Sequence, residues 1–482
     1  MQQDSSAADL AATLRSELNR YSPDEKLPSS RALMERYSVS PTTVSRAIAV
    51  LVGEGLVVSR PGAGVFRAAV RSTASSLGDV SWQEVALSAD ALPAGARERS
   101  IRAGAVLATL TTPPADVIDL NSGYLHASLQ PERALAAALA RAGRRPGTWS
   151  RPPVEGIPEL REWFAREIGG TEGTLSASDV LITGGGQSAL TSALRALAAP
   201  GAPVLVESPT YPGIVAVARA AGLRPIPVPV DADGVRTDLL AEAFAQTHAR
   251  VFVCQPHFQN PTGAVLSPER RGEVLRIARA AGAFVIEDDF ARYLVHSDCP
   301  PLAPSLAAED PDGVVVHIRS LTKAASPSLR IAALSARGPA FDRLRAVQVI
   351  DSFFVPRPLQ ETALELLVAP AWRSHLRSLG TALRDRRTTL LATLGSLLPD
   401  FVPSRPAQGG YHVWLSLGDG VDEAALVTAA TRAGVAVTGG SPYFSAETSA
   451  PHLRLSHVGP AGIGQLEEGI RRLHRAYEIV LG

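Results

Sequence analysis

The apolar positions of the first 70 residues repeat with the spacing of short helices. Leu10, Leu14 and Leu18 lie four residues apart, so they share one face of a predicted first helix. A second helix is expected to begin behind Ser29 or Ser30, because either serine can act as an N-cap. Both helices are short and amphipathic, which is typical of a small helical domain.

The third predicted helix has the clearest start. Ser40 is a typical N-cap and Pro41 suits the first helical position. Two strand-like runs follow at 56–59 and 65–68, joined by a glycine-rich turn that predicts a hairpin. Three short helices followed by a hairpin predict a winged helix-turn-helix domain over residues 1–70.

The periodicity becomes weak after residue 70. The segment 71–115 is rich in Ala, Ser, Gly, Arg and Pro, and only residues 82–87 suggest a short helix. Such a composition is typical of a connection between domains. We therefore expect an interdomain linker over 71–115.

Short apolar runs alternate with helical patterns in the remainder of the chain. The runs that indicate buried strands are 180–183, 204–207, 251–254, 284–288 and 314–319. Strands that are apolar on both faces need helices on both sides, so this alternation predicts an α/β fold with a mostly parallel sheet. We expect one domain over 116–482, with a large part at about 150–340 and a smaller α+β part at about 341–482.

Composition narrows the class of protein. The chain has 482 residues, 47 basic and 47 acidic side chains, and 45% apolar residues, as expected of a globular protein. No apolar stretch approaches the roughly 18 residues that a membrane span needs, so no membrane association is expected. Cys254 and Cys299 are too few for a disulfide framework or a thiolate zinc site. These counts favour the cytoplasm and predict no metal centre.

Positive charge is concentrated near the N-terminus of this neutral chain. Residues 25–71 hold seven basic side chains against three acidic ones, and this excess suits contact with DNA phosphates. The helix behind Ser40 is expected to face the major groove, with the glycine turn as a wing. The candidate contacts to double-stranded DNA are Arg31, Ser40, Thr42, Thr43, Arg46 and Arg60. The alternative is a small helical domain with an ordinary polar surface.

The chain contains only two lysines, Lys26 and Lys323. Arginine serves for salt bridges and solubility, but it is too weakly nucleophilic to form an imine. Lys323 follows a predicted buried strand, and Ser320 and Arg330 beside it are suited to hold a phosphate. We therefore predict that Lys323 condenses with an aldehyde cofactor. The alternative is a surface lysine on a loop.

Three further segments support a phosphate-bearing cofactor. Residues 184–186 are glycines between a predicted strand and a helix, where free backbone amides attract an anion. Asp288 ends another strand and is suited to keep a pyridine nitrogen protonated. Asn260 follows a third strand and is suited to donate a hydrogen bond to the phenolic oxygen of the ring. Each segment by itself could also be an ordinary turn or strand end.

Together these motifs resemble the aspartate-aminotransferase class of pyridoxal 5'-phosphate (PLP) folds. The resemblance covers about 116–482 and is carried by TGGGQSAL, SPTYPG, QNPTG, EDDF, SLTK…PSLR and HLRLS. It implies Lys323 as the Schiff-base lysine and Asp288 as the second catalytic residue. The cofactor-binding residues that it implies are Gly185, Gly186, Gln187, Tyr211, Asn260, Asp288, Ser320, Lys323 and Arg330. It also implies Arg454 as the clamp for a substrate or effector carboxylate.

One position departs from that pattern. Relatives often carry a tyrosine where this chain has Phe290, and the tyrosine hydroxyl also bonds the ring oxygen. Loss of this donor should raise the proton affinity of the imine. Brisk transamination is therefore in doubt, whereas cofactor binding is still expected.

The N-terminal motifs LPSSR, VSPTTV and RPGAGVF resemble the winged domain of GntR-type regulators, although that family usually has arginine where this chain has Pro41. A winged helix fused to an aminotransferase-like domain is the plan of MocR-type regulators. The resemblance implies a homodimeric transcription regulator that binds DNA and senses an amine or amino-acid-like effector through the Lys323 aldimine. The alternative is an active aminotransferase with an accessory DNA-binding domain, so the sequence leaves enzyme activity open.

Overall fold

The computed structural model divides into two compact units, Met1–Pro93 and Ala94–Gly482. It describes residues 2–18, 21, 24–60, 63–68, 103–170, 175–403, 405–418, 420–446 and 450–481. The short helix expected over 82–87 lies outside these residues. No helix in the described part of the chain combines the length and apolar character that a membrane crossing needs.

The first unit is a winged helix-turn-helix, as predicted. Its elements are α1 (Gln2–Glu17), α2 (Ser30–Tyr37), α3 (Pro41–Gly53) and the antiparallel strands β1 (Val57–Arg60) and β2 (Gly64–Arg67). Ser29 caps α2 by accepting the amide of Ala32, and Ser40 caps α3 by accepting the amide of Thr43. The expected apolar face of α1 packs in one core with the other elements through Leu10, Leu14, Leu18, Leu33, Val44, Leu51 and Val57.

The second unit begins, in the described residues, inside the segment expected to be a linker. Helix α4 (Gly104–Leu110) lies there, and strand β3 (Ile118–Asp119) follows it. α4 packs against a later helix, Pro212–Ala220. A seven-residue helix gives almost no periodic signal in the sequence, because it depends on tertiary contacts for its stability.

An eight-stranded sheet forms the large part of this unit. Its strands are β4 (Val180–Thr183), β5 (Pro203–Ser208), β6 (Arg224–Asp231), β7 (Gly234–Val235), β8 (Val251–Cys254), β9 (Phe284–Asp288), β10 (Val315–Ser320) and β11 (Ala332–Ser335). Their order is β4-β11-β10-β9-β8-β5-β6-β7. β11 is antiparallel to both of its neighbours and β7 is antiparallel to β6, while the remaining pairs are parallel. The mostly parallel sheet predicted from the alternation of apolar runs is confirmed.

Helices cover both faces of the sheet. They are α5 (Glu132–Ala142), α6 (Pro158–Gly169), α7 (Gly186–Leu197), α8 (Pro212–Ala220), α9 (Thr237–Thr247), α10 (Pro268–Ala281), α11 (Pro339–Ser352) and α12 (Arg357–Val368). One face packs through Leu190, Leu194 and Leu344, and the other through Phe164 and Leu364. α11 and α12 therefore belong to the large part, although the sequence placed the small part from about residue 341.

The small part has its own core. Its elements are α13 (Pro370–Leu397), β12 (His412–Ser416), α14 (Glu423–Arg432), β13 (Val435–Ala436), β14 (Thr438–Gly439), β15 (His452–Ser456) and α15 (Ile463–Leu481). β15 lies between β12 and β14, and β3 pairs in parallel with β13. Helix α13 links the two cores, because Leu383 packs in the large part and Leu390 in the small part. Short 3-10 turns occur at Ala127–Leu129, Ala177–Asp179, Leu306–Ala308, Pro399–Phe401 and Ser441–Tyr443.

Candidate cofactor-binding site

The parallel strands bring the predicted residues to one pocket. β5, β8, β9 and β10 end at the same edge of the sheet, where open α/β folds bind their ligands. The pocket is lined by Tyr124, Gly186, Gln187, Leu190, Tyr211, Gln255, Asn260, Asp288, Phe290, Ser320, Thr322, Lys323, Arg330 and Tyr411. Eight of the nine cofactor-binding residues implied by the resemblance are among them. The ninth, Gly185, is not part of the lining but lies in close contact with the guanidinium of Arg330.

The N-terminus of α7 forms one end of the pocket. Gly185 precedes this helix with φ +100°, and no side chain caps the first turn. A Cβ at Gly185 would lie 2.5 Å from Nη2 of Arg330, so only glycine lets this guanidinium reach the helix end. Arg330 also donates a hydrogen bond to the carbonyl of Gly184 at 2.9 Å, and Ser320 lies beside Gly186. Open amides, a hydroxyl and a guanidinium fit a phosphate group.

Asp288 also lines the pocket and offers a hydrogen-bond acceptor. Gln255 donates to its Oδ2 at 2.7 Å, and the same Gln255 accepts the backbone amide of Asn260 at 3.1 Å. Burial raises the pKa of Asp288 to about 6, although the bond from Gln255 opposes the shift. The buried Oδ1 of Asn260 has no hydrogen-bond partner among the described residues. This carboxyl and this amide fit the polar edge of a pyridine ring.

A buried network of charged and polar groups supports the strand that carries Asp288. Glu287 accepts a bond of 2.7 Å from His317, and Asp289 pairs with Arg319 at 2.7 Å and with His257 at 3.2 Å. Burial alone would raise the pKa of Asp289, but Arg319 and His257 outweigh it and hold that pKa well below its usual range. These bonds join the residues on both sides of Asp288 to strand β10 and to His257, which supports the end of β9.

Lys323 points into the pocket. Its Nζ donates to the carbonyl oxygen of Gly123 at 2.7 Å and lies 4.1 Å from the centre of the Tyr124 ring. Burial lowers the pKa of Lys323 to about 7, and the positive charge of Arg454 adds to this effect while Asp288 opposes it. A substantial fraction of this amine is therefore unprotonated at neutral pH, as attack on an aldehyde requires.

Aromatic rings form the walls of the pocket. Tyr211 lies close over Gly213, where a Cβ would be 2.2 Å from its ring. Phe290 is buried and contacts Tyr411 edge to face, with ring centres 6.5 Å apart. Tyr293 packs against Trp372 and does not line the pocket, so its hydroxyl does not take the place of the one missing at Phe290.

Arg454 lies near the pocket but is not part of its lining. It is 2% exposed, donates to the backbone oxygen of Asn121 at 2.5 Å, and lies 5.5 Å from the Tyr443 ring centre. It forms no ion pair within 4 Å with any carboxylate of the described residues. A buried guanidinium without such a partner suits an anionic group of a ligand.

The predicted DNA contacts differ in exposure. Arg31, Thr42 and Arg46 are exposed. Thr43 is only 8% exposed and its hydroxyl bonds Ser40 at 2.9 Å, so the expectation that Thr43 faces DNA is corrected. Ser40 serves as the cap of α3. Arg60 is exposed on the wing and pairs with Asp24 at 2.8 Å.

Besides the apolar Leu190, sequence reasoning missed four polar or aromatic residues that line the pocket: Tyr124, Gln255, Thr322 and Tyr411. Gln255 directly follows β8, so the rule that found Asp288 at a strand end could have found it. Thr322 lies within the segment that was already singled out around Lys323. Tyr124 and Tyr411 come from distant segments and carry no local signal.

Comparison with known proteins agrees with this geometry. Residues 115–472 match the family described as aminotransferase class I and II. The chain belongs to that family. Residues 7–66 match the bacterial regulatory proteins of the gntR family. This aminotransferase-family chain therefore has the architecture of a MocR-type regulator, and the fold and family predicted from the sequence are confirmed.

Individual relatives of this aminotransferase-family chain fall into two groups. The uncharacterized HTH-type transcriptional regulator YdfD of Bacillus subtilis is 25% identical, over 93% of this chain and 91% of its own. The 2-aminoadipate transaminase of Thermus thermophilus is 30% identical, over 78% of this chain and 93% of its own.

The solved structure of LysN, an α-aminoadipate aminotransferase from Thermus thermophilus, has a similar fold. Its TM-score is 0.73 at 29% identity, with 79% of this chain and 96% of LysN covered. That structure contains N-(5'-phosphopyridoxyl)-L-leucine, an adduct of the PLP cofactor with an amino acid. PLP is the cofactor of this fold, as the sequence predicted.

Proposed function

We propose that this protein is a PLP-dependent transcription regulator that senses an amine or an amino acid. The observation that carries the proposal is the position of Lys323. Its amine lies in a pocket that also contains a helix N-terminus suited to a phosphate. The same chain has a gntR-type domain. The resemblance to YdfD over nearly the whole chain supports a regulatory role.

Bound PLP supplies an aldehyde and an electron-withdrawing pyridine ring. The amides at the start of α7, with Ser320 and Arg330, bind its phosphate. Asp288 holds the proton at the pyridine nitrogen, and Gln255 keeps this carboxyl in position. Lys323 supplies an amine that is partly unprotonated near pH 7. Tyr211, which lines the pocket, would stack on the ring and exclude water from it.

We further propose that the effector carries a carboxylate besides its amino group. Arg454 is buried without an ion pair among the described residues, and a guanidinium binds a carboxylate through two parallel hydrogen bonds. The positive charge of Arg454 also lowers the pKa of Lys323, so the two groups lie close enough to interact. An amino acid carries both the amino group and the carboxylate that this region is proposed to recognise.

A homodimer in the cytoplasm is part of this proposal. Regulators with a winged helix usually bind paired half-sites, and a two-fold dimer presents two such domains to the duplex. The exposed Thr42 and Arg46 on α3 are the proposed contacts in the major groove. Arg31 and Arg60 are proposed contacts to the phosphate backbone.

An active aminotransferase is the second candidate. The 30% identity to the 2-aminoadipate transaminase favours it, as do Lys323 and Asp288 in the pocket and Arg454 near Lys323. Phe290 disfavours fast turnover, because the pocket lacks a hydroxyl at that position. The regulator therefore remains our main proposal.

The two functions are separated by two measurements on the full-length protein loaded with PLP. A panel of amino acids is added, and the release of keto acid is compared with a change in the cofactor absorbance alone. In parallel, selection from a random duplex library tests specific DNA binding. A spectral change without sustained keto-acid release, together with an enriched DNA sequence, supports the regulator. Sustained turnover without specific DNA binding overturns it.

A further inference from the structure

Asn121 contacts both the arginine near the pocket and the helix next to the interdomain connection. Its side-chain Nδ2 donates to the carbonyl of Ala108, in the last turn of α4, at 2.8 Å. Its backbone oxygen accepts the 2.5 Å bond from Arg454, and its Oδ1 lies 3.4 Å from the same guanidinium. Thr438 also donates to this Oδ1. One residue thus bridges the proposed effector clamp and α4.

The side-chain bonds of Asn121 require an amide. The donor Nδ2 is used by Ala108, and the acceptor Oδ1 is used by Thr438 and Arg454. Aspartate at this position would keep the acceptors but lose the donor, and alanine would lose both. The two functions of the side chain can therefore be separated by substitution.

A second bond joins the same segment to the pocket. Gly123, two residues after Asn121, accepts the bond from Lys323 at 2.7 Å. A charged carboxylate is a stronger partner for Arg454 than the neutral oxygens of Asn121. A ligand that carries one would therefore compete with Asn121 for the guanidinium. The segment 118–124 would then lose a bond that now holds it against the small part.

Helix α4 is sensitive to such a loss. It has seven residues, which is too few for an isolated helix to be stable in water. Its stability depends on its packing against α8 and on the bond from Asn121 to Ala108. In the sequence, α4 directly follows the connection that leads to the DNA-binding domain.

We propose that Asn121 is a positioning residue that couples ligand binding at Arg454 to the stability of α4, and through it to the connection with the DNA-binding domain. This inference rests on the proposed role of the pocket as a PLP and effector site. In the ligand-free protein, Asn121 holds Arg454 and α4 together. A bound carboxylate withdraws Arg454, and the hold on α4 weakens.

The test uses the full-length protein and two kinds of stable ligand. The phosphopyridoxyl adducts of glycine and β-alanine carry a carboxylate at two distances, whereas pyridoxamine phosphate has none. Calorimetry measures the binding of each ligand, and hydrogen–deuterium exchange with mass spectrometry follows the amides of residues 104–110. At least one adduct should speed their exchange about fivefold, as expected for loss of one hydrogen bond, and pyridoxamine phosphate should change it less.

Three variants make the result specific. Asn121→Ala should show fast exchange of α4 without ligand and no further response to an adduct. Thr109→Ala removes a hydroxyl that bonds only within α4, to Val106, so it should keep the response whatever its basal exchange rate. Asn121→Asp should pair with Arg454 and weaken adduct binding about tenfold, while the affinity for pyridoxamine phosphate stays the same.

The outcomes distinguish this inference from the proposed function. If the adducts bind but leave the exchange of α4 unchanged, or if Asn121→Ala keeps the full response, the coupling is refuted while the cofactor site stands. If no phosphopyridoxyl ligand binds the wild-type protein, the proposed function fails and the coupling fails with it.

Discussion

The amine of Lys323 donates a hydrogen bond of 2.7 Å to the carbonyl oxygen of Gly123. Lys323 follows strand β10 of the large part, whereas Gly123 follows strand β3, which pairs with β13 of the small part. The hydroxyl of Tyr411, directly before β12, bonds the same carbonyl at 2.8 Å. The group proposed to bind the cofactor is therefore also a contact between the two parts of this unit.

The two lysines of the chain allow a direct test of the cofactor bond. Lys323→Ala should abolish the visible absorbance of bound PLP, because no other amine reaches the pocket in the described structure. Lys26→Ala is the matched control, since Lys26 lies in the DNA-binding unit, and it should keep the absorbance. Spectra after removal of free PLP give the answer. An unchanged spectrum of the Lys323 variant would show that the assignment is wrong.

The acidity of Lys323 can be followed without the cofactor. Burial lowers its pKa to about 7, and Arg454 contributes to the shift. The rate of acetylation of Lys323 by acetic anhydride, measured on its peptide, should therefore reach half its maximum near pH 7. Arg454→Gln should move this midpoint to higher pH, because a neighbouring positive charge is removed. A midpoint above pH 9 in the wild-type protein would contradict the described pocket.

Most of the cofactor pocket was predictable because its residues lie at the ends of strands. Lys323, Asp288 and Asn260 each follow an apolar run, and a parallel sheet gathers such positions at one edge. Tyr124 and Tyr411 could not be found in this way. They enter the pocket from the segment after β3 and from the residue before β12, and only the packing of the two parts brings them together.

The DNA-binding face illustrates the opposite limit. The sequence located the cap and start of α3 correctly, but it treated all hydroxyls near Ser40 as equivalent. The 3.6-residue period turns Thr43 inward, where it bonds the cap, while Thr42 stays exposed.

The predicted boundary between the large and small parts, near residue 341, also differs from the structure. The apolar face of α11 predicts that this helix is packed, but it does not reveal which sheet surface the helix covers.

Gly213 is expected to be essential for the position of Tyr211. Gly213→Ala would place a Cβ 2.2 Å from the tyrosine ring, and overpacking of this kind costs about 1–3 kcal/mol. We expect the ring to move and the affinity for PLP to fall about tenfold or more. Gly272→Ala in helix α10 is the control, because nothing lies within 4 Å of its Cβ. Fluorescence titration with PLP measures both. Equal affinities in the two variants would refute this role for Tyr211.

The DNA-binding role of α3 predicts a different pattern of effects. Arg46→Ala should weaken binding to the selected duplex about tenfold and reduce its dependence on salt, because a positive charge near the duplex is lost. The absorbance of bound PLP should stay the same. Thr43→Val serves as a comparison, since Thr43 is buried and is not expected to contact DNA directly. Fluorescence anisotropy at two salt concentrations measures these effects. Undiminished binding by the Arg46 variant would remove α3 from the interface.

Three buried histidines predict how the stability of the protein depends on pH. His296, His412 and His457 line one small cavity near Arg387. Burial lowers the pKa of His296 to about 4 and holds the pKa values of His412 and His457 well below their usual range. Nearby positive charges add to these shifts, from Arg387 at His296 and from Arg386 and Arg387 at His457.

The sign of the effect follows from proton uptake. Below about pH 6.5 the unfolded chain protonates these histidines, whereas the folded protein does not, so their contribution to stability is lost as the pH falls. His457→Gln removes one such group. The free energy of unfolding of the wild-type protein minus that of the variant should therefore be constant above pH 7.5. Below pH 6.5 it should shrink by up to about 1.4 kcal/mol per pH unit. Urea denaturation between pH 5 and pH 8 measures this difference, and a difference that stays constant over the whole range would mean that His457 has the same pKa in the folded protein as in the unfolded chain.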